Sequence, residues 1–141
     1  MRKSALAAVL AISLAVLGCG GGGGDEQAVK NTVTQFMSAL ARGDGATACS
    51  LTTAQAQQRL TTQGSQAGGS CAAIIGAIAK RLPPQIKQGL ESAKVKKATV
   101  NGDTATVSDS DISSSAGNLG PFLGGGSTTL KKESGTWKLS S

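Results

Sequence analysis

The spacing of apolar residues changes twice along the chain. Residues 5–17 form an almost uninterrupted apolar run. From Asp25 to Ser92 apolar residues recur every three or four positions, which is the spacing of one face of an α-helix. Beyond Ser92 they alternate with polar residues, as in a half-buried β-strand. The pattern predicts an apolar leader, a helical half and a strand half.

The first helix of the helical half has clear start and stop signals. We expect Asp25 to cap it and Gly43, directly after Arg42, to end it. The apolar residues of this helix share one face, which we expect to be buried: Val29, Val33, Phe36, Met37 and Leu40.

Two shorter helices are predicted next. Residues 44–51 favour a short helix that carries Cys49, and Thr53 is expected to cap a third helix that runs through Leu60. Residues 61–69 are rich in Gln, Gly and Ser, which is typical of a loop.

A fourth helix is predicted after Ser70, which can cap it. Ile74, Ile75, Ile78 and Leu82 lie on one side of this segment, and Pro83-Pro84 ends it. Pro84 can in turn start a further helical turn, in which Ile86 and Leu90 are four positions apart.

Two hairpins are predicted in the strand half. Residues 95–100 and 104–108 are separated by Asn101-Gly102-Asp103, and Asn-Gly tolerates the positive φ angles of a tight turn. Residues 128–133 and 136–140 are separated by Ser134-Gly135 and form the second hairpin. Residues 112–126 between the hairpins are long and Gly-rich, and loops of this length tend to be functional or disordered.

Helices first and antiparallel hairpins after them define an α+β fold. In such a plan the N-terminal helices cover one face of a curved antiparallel sheet made by the C-terminal hairpins. The chain is long enough for one modest domain, which we place at residues 25–141.

The first residues have the three parts of an export signal. Arg2 and Lys3 precede the apolar run, and the small residue Gly18 follows it. The thirteen residues of the run are too few for a membrane span, which needs about 20. Val16-Leu17-Gly18-Cys19 resembles the lipobox of bacterial lipoproteins. The alternative is an ordinary signal peptide cut near Gly18, which leaves Cys19 as a stray thiol.

The lipobox resemblance implies an address. Residues 1–18 would be the signal peptide, and Cys19 would carry the lipid and hold the chain at the cell membrane, on its extracytoplasmic face. Residues 19–24 would then be the lipidated Cys and a Gly-rich tether, whose short coil keeps the domain close to the membrane surface.

The cysteine count changes meaning once Cys19 is assigned to lipid. The chain has three cysteines, so Cys49 and Cys71 remain as a pair, and an exported chain is in a compartment where disulfides persist. We therefore expect a disulfide between Cys49 and Cys71. The rival interpretation, two free thiols with a redox role, lacks the close Cys-x-x-Cys spacing of such sites.

Several segments together resemble a known superfamily. They are Arg42-Gly43-Asp44 after the first helix, Cys49 on the next helical turn, Val100-Asn101-Gly102-Asp103-Thr104-Ala105, and residues 130–139 with Gly135-Thr136-Trp137-Lys138. These segments are similar to the small secreted members of the nuclear transport factor 2-like (SnoaL-like, cystatin-like) superfamily. The resemblance implies a helix lying across a strongly bent sheet, with a pocket inside the resulting cone-like roll.

The residues that enzymes of this superfamily would need are scarce. The chain has no His and no Tyr, and a general base needs a tuned pKa and a partner group. Asp44 follows a helix end and Asp103 lies in a turn, so each has a structural role, and Asp109 and Asp111 alternate at a strand end, where we expect them to face solvent. We therefore predict no catalytic residues.

Cofactor, metal and nucleic-acid sites are not indicated either. Without His, and with two cysteines assigned to a disulfide, no ligand set for zinc remains. Asp109-Ser110-Asp111 lacks the other ligands of a calcium loop, and Gly20 to Gly24 lacks the Lys of a phosphate cradle. The basic residues Lys94, Lys96 and Lys97 are not interleaved with aromatic residues, so nucleic acid is not predicted as a partner.

Charge adds one open alternative. Without Arg2 and Lys3 the chain keeps twelve basic residues against eight acidic ones, a net charge of +4. The excess lies after residue 79, where it could contact anionic headgroups or cell-wall polymers, but a solvated surface is the simpler interpretation.

The sequence thus predicts a non-enzymatic, lipid-anchored extracytoplasmic protein. It would bind a small apolar ligand or a protein partner through the cone or through residues 112–126. The candidate pocket residues are Phe36, Leu40, Phe122 and Trp137, each of which is expected to serve first in the core. The alternatives are an isomerase-like or cyclase-like enzyme of the same superfamily, or a purely structural envelope protein.

Overall fold

The computed structural model describes residues 22–64, 69–123 and 125–140. The predicted signal peptide and residues 19–21 of the predicted tether lie outside the described residues. The helices are α1 (Gly22–Arg42), α2 (Gly45–Ser50), α3 (Ala54–Gln63), α4 (Cys71–Arg81), α5 (Pro84–Glu91) and α6 (Gly120–Leu123). The strands are β1 (Lys94–Val95), β2 (Thr99–Asn101), β3 (Thr104–Ser108), β4 (Ile112–Ser113), β5 (Ser127–Glu133) and β6 (Thr136–Leu139). The fold is α+β, with the longer helices in the N-terminal part and the strands in the C-terminal part.

Helix α1 begins earlier than the sequence predicts. Its first residue is Gly22, so Asp25 lies inside the first turn and is not the N-cap. The carboxylate of Asp25 instead accepts hydrogen bonds from Lys132 and Trp137, far along the chain. The end of α1 is as predicted, because Gly43 has a φ of 72°, which glycine adopts without a steric penalty.

The next three helices start at side-chain caps, of which Thr53 and Ser70 are predicted by the sequence and Asp44 is not. Asp44 accepts a hydrogen bond from the backbone N–H of Thr47, Thr53 accepts one from Ala56, and Ser70 accepts one from Ala73. Such caps satisfy backbone donors that have no partner within the helix. Helix α3 runs on to Gln63, into the segment predicted as a loop, and residues 65–68 of that segment lie outside the described residues.

The proline pair separates the last two long helices. Helix α4 ends at Arg81, and Pro84 is the first residue of α5, where its missing N–H costs nothing. The cap residue of α5 is Pro83, and no side chain caps this helix.

The strands form two antiparallel sheets. The larger one has the order β2-β3-β5-β6, and the smaller one pairs β1 with β4. The predicted strand 95–100 is therefore divided: Val95 pairs with Ile112 in the small sheet, and Val100 pairs with Ala105 in the large one. The backbone N–H of Lys96 donates a hydrogen bond to the carbonyl of Asp111. This bond holds Lys96 beside the start of β4, and the chain turns before β2.

Both hairpin turns contain two residues. In the first, Asn101 pairs with Thr104, so the central residues are Gly102-Asp103 and not Asn101-Gly102; Gly102 has a φ of 59°. In the second, Ser134 and Gly135 have φ angles of 50° and 79°, and the turn lies where the sequence predicts it.

The core lies between α1, α5 and one face of the large sheet. Strands β3, β5 and β6 alternate, with Ala105, Val107, Leu130, Trp137 and Leu139 buried on the inner face. Segment 112–126 contains strand β4 and helix α6. Near its end, the N–H of Gly126 donates a hydrogen bond of 2.6 Å to Oδ2 of Asp109.

Candidate functional site

A cavity of about 330 Å³ opens between α3 and the inner face of the large sheet. Its size is at the lower end of ligand pockets, which range from about 300 to 1,000 Å³. The walls are largely apolar and come from every layer of the domain: Phe36 and Leu40 of α1, Leu60 of α3, Ile75 and Ile78 of α4, Leu123 of α6 and Leu139 of β6.

The cavity exists because α3 does not close onto the sheet. Helix α3 buries no residue fully, and its Leu60 is only half-buried although it faces inward. Leu40 and Ile75 on the opposite walls are buried, at 8% and 3% exposure. The space beneath α3 is therefore partly open to solvent, and its inner walls are buried side chains.

The polar group deepest in this apolar space is the hydroxyl of Thr128. Thr128 is 2% exposed, and its Oγ1 has no hydrogen-bond partner in the described part of the chain. Thr52 also lines the cavity and is similarly buried at 4%, but its Oγ1 donates to the carbonyl of Cys49 across 2.8 Å. A buried hydroxyl without a partner costs about 1–3 kcal/mol. Thr128 is also a lining residue of the cavity, so this wall carries a buried hydroxyl that no described residue satisfies.

The mouth of the cavity is polar on one side and apolar on the other. Arg59 and Gln63, both exposed, line it from α3, and Ile78 lines it from α4. Ile78 is 43% exposed and is the large hydrophobic side chain left open among the described residues. Ile78 therefore adds apolar surface to this side of the cavity.

The disulfide joins α4, which lines the cavity, to α2, which does not. Cys49 of α2 and Cys71 of α4 are bonded, with 6.1 Å between their Cα atoms, as the sequence predicts. The carbonyl of Cys49 also accepts a hydrogen bond of 2.6 Å from Nε2 of Gln57 on α3. The disulfide thus links α2 to α4 covalently, and the hydrogen bond from Gln57 links α3 to α2.

The four pocket residues that the sequence suggests have different positions in the structure. Phe36 and Leu40 line the cavity. Phe122 belongs to α6, but its side chain lies outside the described residues; its neighbour Leu123 is a cavity residue. Trp137 does not line the cavity, contrary to the expectation, because its indole Nε1 is directed to Oδ1 of Asp25 at 3.0 Å.

Asp25, Lys132 and Trp137 form a separate cluster that is structural. Lys132 Nζ lies 2.8 Å from Oδ1 of Asp25 and 5.5 Å from the centroid of the Trp137 ring. The hydrogen bond from Lys132, and then that from Trp137, lowers the pKa of Asp25 below its usual value. The cluster fastens the first turn of α1 to the hairpin of β5 and β6.

The other carboxylates considered as catalytic groups have positions away from the cavity. Asp44 caps α2, and its hydrogen bonds with Thr47 lower its pKa. Asp103 is exposed in the first hairpin turn. Asp109 was expected to face solvent at a strand end, but it lies in a 3₁₀ turn with Oδ1 buried and without a partner among the described residues. No carboxylate lines the cavity in the parts of the chain that the structure describes.

Sequence reasoning missed Thr128 and Arg59. The alternation along β5 places Thr128 on the same face as the apolar Leu130, but the sequence does not show that its hydroxyl is buried without a partner. Arg59 has a visible signal, since it is the one charged residue of α3 and the whole stretch 45–90 contains no Asp or Glu.

The fold and the site together define a small α+β domain with an apolar cavity between a loosely packed helix and a sheet. Comparison of the chain with protein-family models, with curated proteins and with solved structures finds no match. Within residues 22–64, 69–123 and 125–140, none of the helices combines the length and the apolar character that a membrane span requires.

Proposed function

We propose that the protein is a lipid-anchored, extracytoplasmic binding protein that takes up a small, largely apolar molecule beneath α3. The observation that carries this proposal is the largely apolar cavity of about 330 Å³ between α3 and the sheet, whose lining residues include Thr128 with its buried hydroxyl. A bound molecule with one hydrogen-bonding oxygen would satisfy that hydroxyl and remove the cost of leaving it buried alone. Apolar walls with a few directed polar groups are the usual composition of a small-molecule site.

A binding role fits the cavity better than the enzymatic alternative. An isomerase-like or cyclase-like site would need an acid or base directed at the bound molecule. The described cavity walls contribute Thr128, Thr52, Ser140, Gln63 and Arg59 as polar groups, and none of these is a carboxylate. A purely structural envelope protein would have no reason to keep such a space open against close packing.

The finer fold assignment is also a proposal. We infer a nuclear transport factor 2-like roll from the segments that resemble that superfamily and from the packing of α1 against β6. The position of the cavity, between helices and the inner face of the sheet, supports this assignment.

The proposed address depends on Cys19 and on the start of α1. Because α1 begins at Gly22, only Gly20 and Gly21 separate Cys19 from the first helix. A lipid on Cys19 would therefore hold the domain against the membrane surface with almost no slack.

Binding of the neutral fluorophore N-phenyl-1-naphthylamine tests the cavity. All described elements lie within residues 22–140, so the titration uses the chain from residue 19 onward with Cys19→Ser. Ala56 lines the cavity from α3, whereas Ala54 on the same helix is exposed and does not line it. We expect Ala56→Phe to weaken binding by about tenfold or more by filling the space, and Ala54→Phe to bind like the parent protein. Equal binding by all three proteins would contradict the proposal.

A further inference from the structure

The cavity-facing stripe of α3 has an unusual composition. Ala56, Arg59, Leu60 and Gln63 all line the cavity, and their spacing of three and four positions places them on one helical face. Ala56 and Leu60 contribute apolar surface, whereas Arg59 and Gln63 are exposed and contribute the polar edge of the mouth. A molecule beneath α3 would therefore meet apolar groups along its body and a cation at its outer end.

The positive charge of Arg59 has no ion-pair partner among the described residues. In the described part of the chain Arg59 takes part in no salt bridge, since the two ion pairs found there join Lys30 to Glu26 and Lys132 to Asp25. The stretch 45–90, which supplies α3 and α4, has no acidic residue, but it has four basic ones: Arg59, Lys80, Arg81 and Lys87. A region of one sign of charge attracts ligands of the opposite sign and disfavours cations.

We propose that the ligand is an anionic amphiphile, an apolar carboxylic acid whose carboxylate pairs with Arg59 at the mouth while its hydrocarbon body fills the cavity. The inference rests on the proposed binding function and goes beyond it by naming the charge of the ligand and the residue that selects it. The planar guanidinium of Arg59 can donate two parallel hydrogen bonds to a carboxylate, which a lysine could not. The amide of Gln63, one turn further along α3, can donate a third.

Selection arises from the difference between an acid and its neutral ester. Moving a carboxylate from water into the site costs more free energy than moving a neutral ester group, unless a cation pairs with the carboxylate. When Arg59 is present, the acid gains the ion pair. When Arg59 is absent, the acid still has the desolvation cost of its carboxylate and gains nothing in return. Arg59 therefore decides the sign of the preference, while the apolar walls set the affinity that the two ligands share.

Competition with N-phenyl-1-naphthylamine tests this inference at pH 7 with decanoate and methyl decanoate, both kept below the concentrations at which they aggregate. On the Cys19→Ser chain we expect decanoate to displace the fluorophore at a concentration about threefold to tenfold lower than the ester, a difference that shrinks in 1 M salt. Arg59→Gln should abolish or reverse the preference. Arg81→Gln is the matched control, because Arg81 belongs to the same acid-free stretch but does not line the cavity, and it should keep the preference.

The failures of the two proposals are distinguishable. If the fluorophore binds and Ala56→Phe weakens its binding, but the ester competes as well as decanoate, or Arg59→Gln keeps the preference, the anionic ligand is wrong and the binding function stands. If decanoate and the ester both leave the bound fluorophore in place, the inference of an apolar acid is overturned. If the fluorophore does not bind, or Ala56→Phe binds it like the parent protein, the binding function fails and the inference fails with it.

Discussion

The indole Nε1 of Trp137 donates a hydrogen bond to Oδ1 of Asp25 across 3.0 Å, joining the last strand of the domain to the first turn of its first helix. Lys132 Nζ donates to the same oxygen across 2.8 Å. The first turn of α1, which follows the proposed anchor, is thus held by the C-terminal hairpin. This contact also explains why Trp137 is not available to the cavity.

The stability of the protein should depend on Asp25 in a pH-dependent way. The hydrogen bonds from Lys132 and Trp137 lower the pKa of Asp25 in the folded state. A carboxylate with a lowered pKa stabilises the fold above its unfolded-state value of about 4, and this contribution is lost as the pH falls through the folded value. Asp25→Asn should therefore lower the free energy of unfolding at pH 7 and have no such effect at pH 2.

Urea unfolding followed by the fluorescence of Trp137, the single tryptophan, measures this difference at both pH values. Glu26 and Asp44, whose pKa values are also lowered, are present in both proteins, so the difference isolates Asp25. Asp103→Asn is the control, because Asp103 is an exposed turn residue, and it should change little. An equal loss at pH 7 and pH 2 in Asp25→Asn would show that the charge of Asp25 is irrelevant.

Thr128 and Thr52 should respond in opposite ways to the same substitution. Thr128→Val removes a buried hydroxyl that has no partner, so it should leave the stability unchanged or raise it by about 1 kcal/mol. Thr52→Val removes the hydrogen bond to the carbonyl of Cys49 and should cost about 1 kcal/mol. Thermal or urea unfolding of the ligand-free proteins gives both values, and a clear loss of stability in Thr128→Val would mean that its hydroxyl is not unpaired.

The disulfide should be a substantial part of the stability. Cys49 and Cys71 are 22 positions apart, and closing a loop of this length restricts the unfolded chain by about 3 kcal/mol in the entropic model. Cys49→Ala combined with Cys71→Ala should lower the free energy of unfolding by that amount. Thiol titration of the unfolded, unreduced Cys19→Ser chain should find no free thiol, and two free thiols would contradict the bond.

The anchor predicts a simple labelling result. Cells that express the full chain should incorporate radioactive palmitate into it, and Cys19→Ser should abolish the incorporation. A Cys49→Ala and Cys71→Ala protein, in which only Cys19 remains as a cysteine, should still be labelled. Labelling that persists in Cys19→Ser would refute the lipid assignment.

The sequence predicts those elements whose signals are local. Thr53 and Ser70 cap the helices that they precede, and Gly43 ends α1, because each acts on backbone groups within a few positions. The Ser134-Gly135 turn is predictable for the same reason, since its φ angles need residues of this kind.

The elements that the sequence mispredicts depend on distant partners. Asp is a common N-cap residue, but the carboxylate of Asp25 accepts hydrogen bonds from Lys132 and Trp137 instead. The run 95–100 has the alternation of a single strand, but its two ends pair with different neighbours, Ile112 and Ala105. The cavity is less predictable still, because Ala56, Leu60 and Ile75 have ordinary core patterns, and only the packing leaves a space between them.

The most direct test of a ligand site beneath α3 is the methyl spectrum of the isoleucines during a titration with N-phenyl-1-naphthylamine. The chain from residue 19 has five isoleucines, of which Ile75 and Ile78 line the cavity, whereas Ile86 and Ile112 do not. With ¹³C-labelled δ1-methyl groups we expect the Ile75 and Ile78 signals to shift and those of Ile86 and Ile112 to stay in place. Shifts confined to Ile86 or Ile112, or no shift at saturating fluorophore, would contradict a binding site beneath α3.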